Sequence, residues 1–406
     1  MANVDVYNHK SRVGRLEKKN ELHHYAYDLN AKHALSLTMP IRLETYSYEG
    51  LHPFFQMNMP EGELRLAIEK ATAKNYGSND LTVLALLGNN QIGSIRYALE
   101  DQELVDESDF DLSLAHLIKS DDVDLFSELL SRFALRSGVA GVQPKVLLEA
   151  KQITHDEIDP KNTYPLDSYI VKSWGKEYPE LACNEFVCLS MAKEAGLTVS
   201  PFYLSENARL LITKRFDINK ENQPIGFEDF CVLQGRSTKQ KYDASLESCA
   251  NTIRQFVSPE YCKTALYDFF KLTLINIILR NGDAHLKNYG VLYEDLADYK
   301  IGELPKVSVV FSPVFDIVST IPYIKNDTMA LSLTGSKRWP KWKVLVKFAK
   351  QHCLLSNKEI TQVIDEVERA KLNVLPIIEA LSIKHHNFSP IADEMLELFK
   401  VNIKDN

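Results

Sequence analysis

The stretch NGDAHLKN at residues 281–288 combines side chains that can do chemistry together. Asp283 is a carboxylate, and Asn288 follows it five residues later as an amide, with His285 and Lys287 between them. This spacing suits a phosphoryl-transfer loop, where an acid takes the proton of a hydroxyl and an amide oxygen holds a metal. Asp and Asn also stand five apart in ordinary turns, so the spacing leaves both readings open. The flanks sharpen the question. Residues 265–279 read as a buried helix and residues 289–293 as a short strand. A polar cluster held between two such elements is costly to desolvate unless its groups are paired or used.

Three other places could serve the same chemistry. Asp316 sits in the apolar run VSVVFSPVFDIVST (307–320), in the chain order expected for a second metal-binding acid. It reads equally as an acid capping a turn. The segment RSGVAGVQPKVLLEA (136–150) places Gly138 and Gly141 in a small-residue loop and Lys145 at the start of a strand. Such a loop can bring backbone N–H groups to phosphate, although it matches neither G-x-G-x-x-G nor G-x-x-x-x-G-K-S/T. The strand SYIVK ends on Lys172, and Glu185 lies near the start of the next helix. A strand lysine and a helix glutamate form the ion pair that orients phosphates in kinases, although a lysine at a strand end is more often simply solvated. The strand in ARLLITKRFD (208–217) runs into Lys214, Arg215 and Phe216, where an adenine ring could meet the backbone.

The elements that must position these residues fall into three stretches. Residues 1–118 read as a small α/β unit, with strands at 4–8 and 22–27 and a proline-punctuated loop at 51–62 whose Phe54 and Phe55 are core candidates. Helices follow at about 63–73 and 81–87, the second with Asp80 as its cap. Residues 119–218 form a second α/β unit: a helix at 123–133, the loop and strands described above, and a helix at about 181–195 closed by Gly196. Residues 219–406 shift to helical periodicity. There SKRWPKWKVLVKFAK (336–350) reads as an amphipathic helix with Trp342, Val344, Leu345 and Phe348 inward, or as a basic-aromatic grip for nucleic acid or an acidic partner. Ser356 and Glu359 form a capping box for a helix to about Lys371, and Pro390 opens the last helix.

Bulk composition excludes several classes. At 45% hydrophobic and 25% charged residues the chain is that of an ordinary globular protein. A formal net charge of −8 argues against binding nucleic acid over the whole surface. No apolar run reaches the roughly 18–20 residues that span a bilayer, and the N-terminus lacks the basic flank and apolar core of a signal peptide. The six cysteines contain no C-x-x-C pair, which points to reduced, buried thiols and away from zinc.

The order of these parts is that of a two-lobed phosphotransferase. At this point the sequence resembles the HipA family, the serine/threonine kinase toxins of bacterial toxin–antitoxin pairs. GVQPK (141–145), RFD (215–217), EDFC (228–231), KY (241–242), NGDAHLKN, FDIVST (315–320) and MALSLTGSKR (329–338) look like its successive motifs. PFF…MPEG (53–62) and GNNQIGSIRYAL (88–99) are similar to its N-terminal domain. The resemblance implies an α+β, bilobed, protein-kinase-like fold. It would have an N-terminal subdomain at 1–118, a kinase N-lobe at 119–218 and a helical C-lobe at 219–406.

The resemblance also implies roles. Asp283 would be the base, and Asn288 and Asp316 would hold magnesium. Lys172 would bind nucleotide phosphates. Gly138, Val139, Ala140, Gly141, Gln143 and Lys145 would cover or approach ATP. Phe216 and the backbone near Lys214 would line the adenine pocket, and His285 and Lys287 would support the loop or touch phosphate. It further implies a cytoplasmic, growth-arresting toxin linked to persistence. The substrate would be an aminoacyl-tRNA synthetase, glutamyl-tRNA synthetase first. The toxin would be neutralised by a small helix-turn-helix, HipB-like antitoxin that binds operator DNA with it. Local DNA contact would fall to Lys337, Arg338, Lys341 and Lys343.

One departure stands out. The family phosphorylates itself on serine just before the position of Gly141, where this chain has Gly138 and Ala140 and only Ser137 nearby. Autophosphorylation in this loop is therefore expected to be absent or to use Ser137. Two other readings remain: a catalytically silent kinase fold serving as a co-repressor, and a small-molecule phosphotransferase.

Overall fold

The computed structural model describes residues 3–72, 79–88, 90–100, 102, 104, 112–122, 124–133, 137–139, 143–152, 166–401 and 404. In chain order the first stretch holds β1 (Val4–Asn8), β2 (Ser11–Lys19), β3 (Leu22–Tyr27), β4 (Tyr46–Glu49), α1 (Pro53–Gln56), α2 (Gly62–Thr72), α3 (Asp80–Leu86), β5 (Ile95–Leu99), α4 (Leu114–Lys119) and α5 (Leu125–Phe133). Next come β6 (Lys145–Lys151), β7 (Leu166–Lys172), α6 (Leu181–Glu194), β8 (Phe202–Leu204), β9 (Leu211–Lys214), β10 (Gly226–Asp229) and α7 (Phe230–Leu233). The remainder carries α8 (Leu246–Phe256), α9 (Pro259–Ile278), β11 (Gly290–Tyr293), β12 (Val309–Phe311), α10 (Trp342–Gln351), α11 (Asn357–Lys384) and α12 (Ser389–Lys400). The chain forms two compact units.

The first unit takes residues 1–173, 212–238 and 292–309. Its antiparallel sheet runs β4-β3-β2-β1-β5. Alternation puts Val4, Val6, Val13, Leu16 and Tyr25 on the buried face. Phe54 and Phe55 belong to that core, with the Phe55 ring 5.6 Å from Tyr25 and 6.0 Å from Tyr97. Asn79, one residue before the expected cap, closes α3 by accepting from Thr82 N–H at 3.0 Å. Asp80 has become the first helical residue, where an acid still favours the positive helix end. In the same unit β6, β7 and β9 neighbour one another in that order.

The second unit takes residues 174–211, 239–291 and 310–406. It is built around α6 and α9, which are apolar on most sides and therefore buried. The capping box of Ser356 and Glu359 starts α11 as read from the sequence, but the helix runs on to Lys384, through Pro376. An internal proline typically costs about 3 kcal/mol. Val374 and Ile378, four residues apart and both fully buried, continue the apolar stripe across it and offset that cost. On α10 Leu345 and Phe348 are buried, Trp342 and Val344 are half-buried, and Lys341, Lys343, Lys347 and Lys350 are exposed, the amphipathic arrangement. None of the six cysteines is in a disulfide among the described residues, and all but Cys262 are buried. Among the described residues no helix is long and apolar enough to cross a membrane.

Candidate active site

The loop at 281–288 is shaped by its own polar groups, within the second unit. α9 ends at Ile278, and Arg280 turns the chain in the left-handed region at φ 52°. The buried amide of Asn281 then bonds in two directions. Its Nδ2 donates to Asn276 Oδ1 at 2.9 Å, and its Oδ1 accepts from Asp283 N–H at 3.1 Å. His285 N–H donates to Asp283 C=O at 2.7 Å and to Asn288 Oδ1 at 2.8 Å. Leu286, fully buried, anchors the loop through its N–H to Lys241 C=O at 3.1 Å. Asp283 is the exposed residue of this turn. Its Oδ1 accepts from the Tyr242 hydroxyl at 2.6 Å.

Asp316 stands beside Asn288, with its Oδ2 3.4 Å from Asn288 Nδ2. Its backbone is left-handed, φ 59°. Such a conformation typically costs an L-residue about 1–2 kcal/mol, least for Asp and Asn. The segment that carries it is clasped from both sides. Val314 N–H donates to Thr198 C=O at 2.8 Å. Asn184, buried on α6, donates through Nδ2 to Ser319 C=O and accepts through Oδ1 from Ser319 N–H, both at 2.8 Å. Thr320 then ties this segment to the loop. Its Oγ1 accepts from Gly282 N–H at 2.9 Å and lies 2.8 Å from Arg280 C=O and 2.5 Å from Asp327 Oδ2. Gly282 is required there, since a Cβ would come within 1.9 Å of Asp327 Oδ2.

These residues fit a divalent cation. Asp316 has carboxylate oxygens to offer and Asn288 an amide oxygen, which here accepts from His285 N–H while its Nδ2 faces Asp316, and the described residues contain no group of three His, Cys, Asp or Glu able to hold a metal. Two protein oxygens completed by substrate phosphates is the usual arrangement for magnesium. His285 is not a cation at neutral pH. Burial first, and Lys241 next, lower its imidazole to about 3. Its Nδ1 is a buried polar atom with no hydrogen-bond partner among the described residues.

The first unit holds the other predicted residues. Lys145 stands directly opposite Lys172 across β6 and β7, and both are buried, at 4% and 6% exposed. Lys172 is thus not the solvated strand end that its position in the sequence suggested. Opposed residues of an antiparallel pair share a face, and like charges there repel. Gly138 lies against residues 90–92: its N–H donates to Asn90 C=O at 2.9 Å, and a Cβ would meet Gln91 Cγ at 2.4 Å. Val139 is buried, and Gln143 Nε2 donates to Ser173 C=O at 3.1 Å. Ala140 and Gly141 lie outside the described residues.

Ser137 has no exposure. Its hydroxyl donates to Phe133 C=O at 2.8 Å and accepts from Leu147 N–H at 2.9 Å. Lys214 Nζ pairs with Asp167 at 2.7 Å, and the half-buried Phe216 ring lies 5.4 Å from Phe227. On either side of Phe216, Arg215 and Asp217 form a buried bidentate pair, at 3.0 and 2.7 Å. Arg215 also donates to Asn90 Oδ1 and Gln91 C=O, and Asp217 accepts from Gly93 N–H. The RFD motif therefore fastens to the GNNQIG segment and holds Phe216 between two fixed points.

Sequence reading passed over Asn184 and Asp327, and took Tyr242 and Thr320 only as parts of motifs. Asn184 had a usable signal, a polar residue in the apolar run of α6, where burial requires a partner. Asp327 had none, and for Thr320 the motif gave no partner, because nothing near either in the chain names it.

Comparison with known proteins bears on the family and the fold. A family model described as the HipA-like C-terminal domain matches residues 137–374, and one described as the HipA N-terminal domain matches residues 4–98. A Sinorhizobium fredii protein, Y4mE, provisionally described as a kinase, is 26% identical over 388 residues, 89% of this chain and 87% of its own length. The serine/threonine-protein kinase toxin HipA of Shewanella oneidensis is 30% identical over 175 residues, 38% of this chain and 39% of that one. The structure of Shewanella oneidensis HipA in complex with HipB and operator DNA superposes with a TM-score of 0.67 at 19% identity, covering 98% of this chain and 96% of that one. The fold is α+β and kinase-like, as the sequence resemblance implied.

Proposed function

The chain belongs to the HipA family of kinase toxins, and from that premise we propose that it is an ATP- and magnesium-dependent serine/threonine protein kinase. The observation that carries this reading is the loop geometry. Asp283 is exposed on its turn, and Asp316, 28 residues further along the chain than Asn288, lies with its Oδ2 3.4 Å from Asn288 Nδ2, which supports a base on the loop with an amide and a carboxylate beside it for a metal. When bound, ATP would supply the phosphoryl group and magnesium would neutralise charge on its phosphates. Asp283 would accept the proton of a substrate hydroxyl. Asn288 and Asp316 would hold the metal, Lys145 and Lys172 would face the phosphates, and Phe216 would line the adenine. Gln143 and residues 138–141 would belong to the covering loop, and His285 and Lys287 would support the catalytic turn.

The family supports a toxin role inside the bacterial cytoplasm, arresting growth by phosphorylating a translation factor. We take an aminoacyl-tRNA synthetase as substrate, glutamyl-tRNA synthetase first. A helix-turn-helix antitoxin would restrain the kinase and join it at operator DNA, as the composition of the Shewanella oneidensis complex suggests.

The test is Asp283→Asn. Loss of a catalytic base typically costs about 10²–10⁴-fold in rate. Transfer of labelled phosphate from ATP to the proteins of a bacterial lysate should fall by that factor, growth arrest should disappear, and the circular dichroism spectrum should be unchanged. Phosphorylated proteins found with the wild type and missing with Asp283→Asn would name the substrate. Growth arrest that survives the substitution would instead favour a binding role without catalysis.

A further inference from the structure

Asp283 is exposed on a turn, and a reacting carboxylate there has to be held in one orientation. A reacting group displaced by about 1 Å can cost on the order of 10²-fold in rate. The protein meets this need from outside the loop. The Tyr242 hydroxyl donates to Asp283 Oδ1 at 2.6 Å, a short, charge-assisted bond. The same ring packs edge-on against the buried His285 ring, with centroids 5.2 Å apart. Tyr242 thereby also touches a buried side chain of the same turn.

Its backbone is held as well. Just before it, Lys241 C=O accepts from Leu286 N–H at 3.1 Å, inside the catalytic turn. The Tyr242 carbonyl accepts from Lys337 Nζ at 3.0 Å, and Ala244 C=O accepts from Ser332 N–H at 3.1 Å. The KY motif is therefore stitched to the catalytic turn on one side and to the segment MALSLTGSKR on the other. Tyr242 is also more than a third exposed. The hydroxyl adds nothing to the burial of the core, and its bond reaches a group that the core does not need.

We propose that Tyr242 is a positioning residue, which orients the Asp283 carboxylate through its hydrogen bond to Oδ1. This rests on the reading of Asp283 as the base. Lys337, through the Tyr242 carbonyl, carries the arrangement into the segment 329–338.

The experiment uses the full chain and labelled ATP, with bacterial lysate protein as acceptor. Tyr242→Phe keeps the ring and its contact with His285 and removes only the hydroxyl. The rate at saturating ATP should fall about ten- to a hundredfold, the scale of one charge-assisted bond. The KM for ATP should stay within about twofold, and the thermal midpoint should not move. In an Asp283→Asn background the same substitution should have no further effect on the residual rate, because a residue acting through Asp283 has nothing left to act on. A Tyr242→Phe enzyme with the wild-type rate overturns the proposal, and so does an undiminished loss in the Asp283→Asn background. A wild-type chain that transfers no phosphate overturns the reading of the site itself, and this inference with it.

Discussion

Thr320→Val is the sharpest probe of how the loop is held. Valine keeps the branched shape of threonine and deletes one oxygen. Thr320 is 7% exposed, so water does not readily replace what is lost. The hydroxyl accepts from Gly282 N–H at 2.9 Å and has one proton to share between Arg280 C=O at 2.8 Å and Asp327 Oδ2 at 2.5 Å. Stranding the Gly282 donor costs about 1–3 kcal/mol, and loss of the donated bond adds about 1 kcal/mol. We expect a destabilisation of about 2–4 kcal/mol, a large share of the roughly 5–15 kcal/mol that holds a domain together. Because Gly282 directly precedes Asp283, the rate of phosphate transfer should also fall, by about ten- to a hundredfold. The assay pairs urea unfolding with labelled ATP turnover, and Thr320→Ser is the control. Serine retains the hydroxyl and loses a methyl, worth about 0.8 kcal/mol. The reasoning is refuted if Val is within about 0.5 kcal/mol of wild type, or if Ser is as damaging as Val.

Two further outcomes follow from groups in the first unit. Glu228 accepts from the Tyr293 hydroxyl, Leu37 N–H and the Ser36 hydroxyl, yet burial still pushes its carboxyl up to about 7. The folded state therefore keeps a proton that the unfolded chain releases, so this group's contribution to stability falls as pH rises from about 4.5 to about 7. His52 and His285, lowered to about 4 and about 3, slope the other way below 6.5. The urea midpoint of wild type minus that of Glu228→Gln should accordingly shrink between pH 5 and pH 7.5, and a constant difference would exclude Glu228 as the source. Ser137 uses its hydroxyl twice inside the protein, so mass spectrometry after ATP incubation should find no phosphate on it. Ser137→Ala should cost about 1–3 kcal/mol by chemical denaturation, through the stranded Leu147 N–H; phosphate on Ser137 would contradict the closed arrangement.

What the sequence made legible was local. The Asp283–Asn288 spacing, the capping box of Ser356 and Glu359 and the start of α12 at Ser389 and Pro390 each involve residues within one or two turns of each other. The HipA resemblance rests on such short words in order. What stayed hidden depends on partners far along the chain. Tyr242 meets Asp283 across 41 residues, Thr320 meets Gly282 across 38, and Asn184 meets Ser319 across 135. The burial of Lys172 was invisible because a strand end looks solvated until Lys145 is seen opposite it. The length of α11 was misjudged at Lys371 because proline weighs against helix in isolation, whereas tertiary burial of Val374 and Ile378 decides.

The clasp of Asn184 on Ser319 has a consequence for how this chain can drift. Asn184 reads only the backbone at 319, donating to its carbonyl and accepting from its N–H. Neither bond depends on what side chain stands there. Position 319 can therefore change to any residue except proline, which lacks the N–H, that fits its buried space, whereas position 184 needs an acceptor and a donor on one short stem. Aspartate lacks the donor, and glutamine sets the same amide one methylene too far out. Tolerance is unequal across one contact, and a library randomised at both positions would hold asparagine at 184 while spreading at 319.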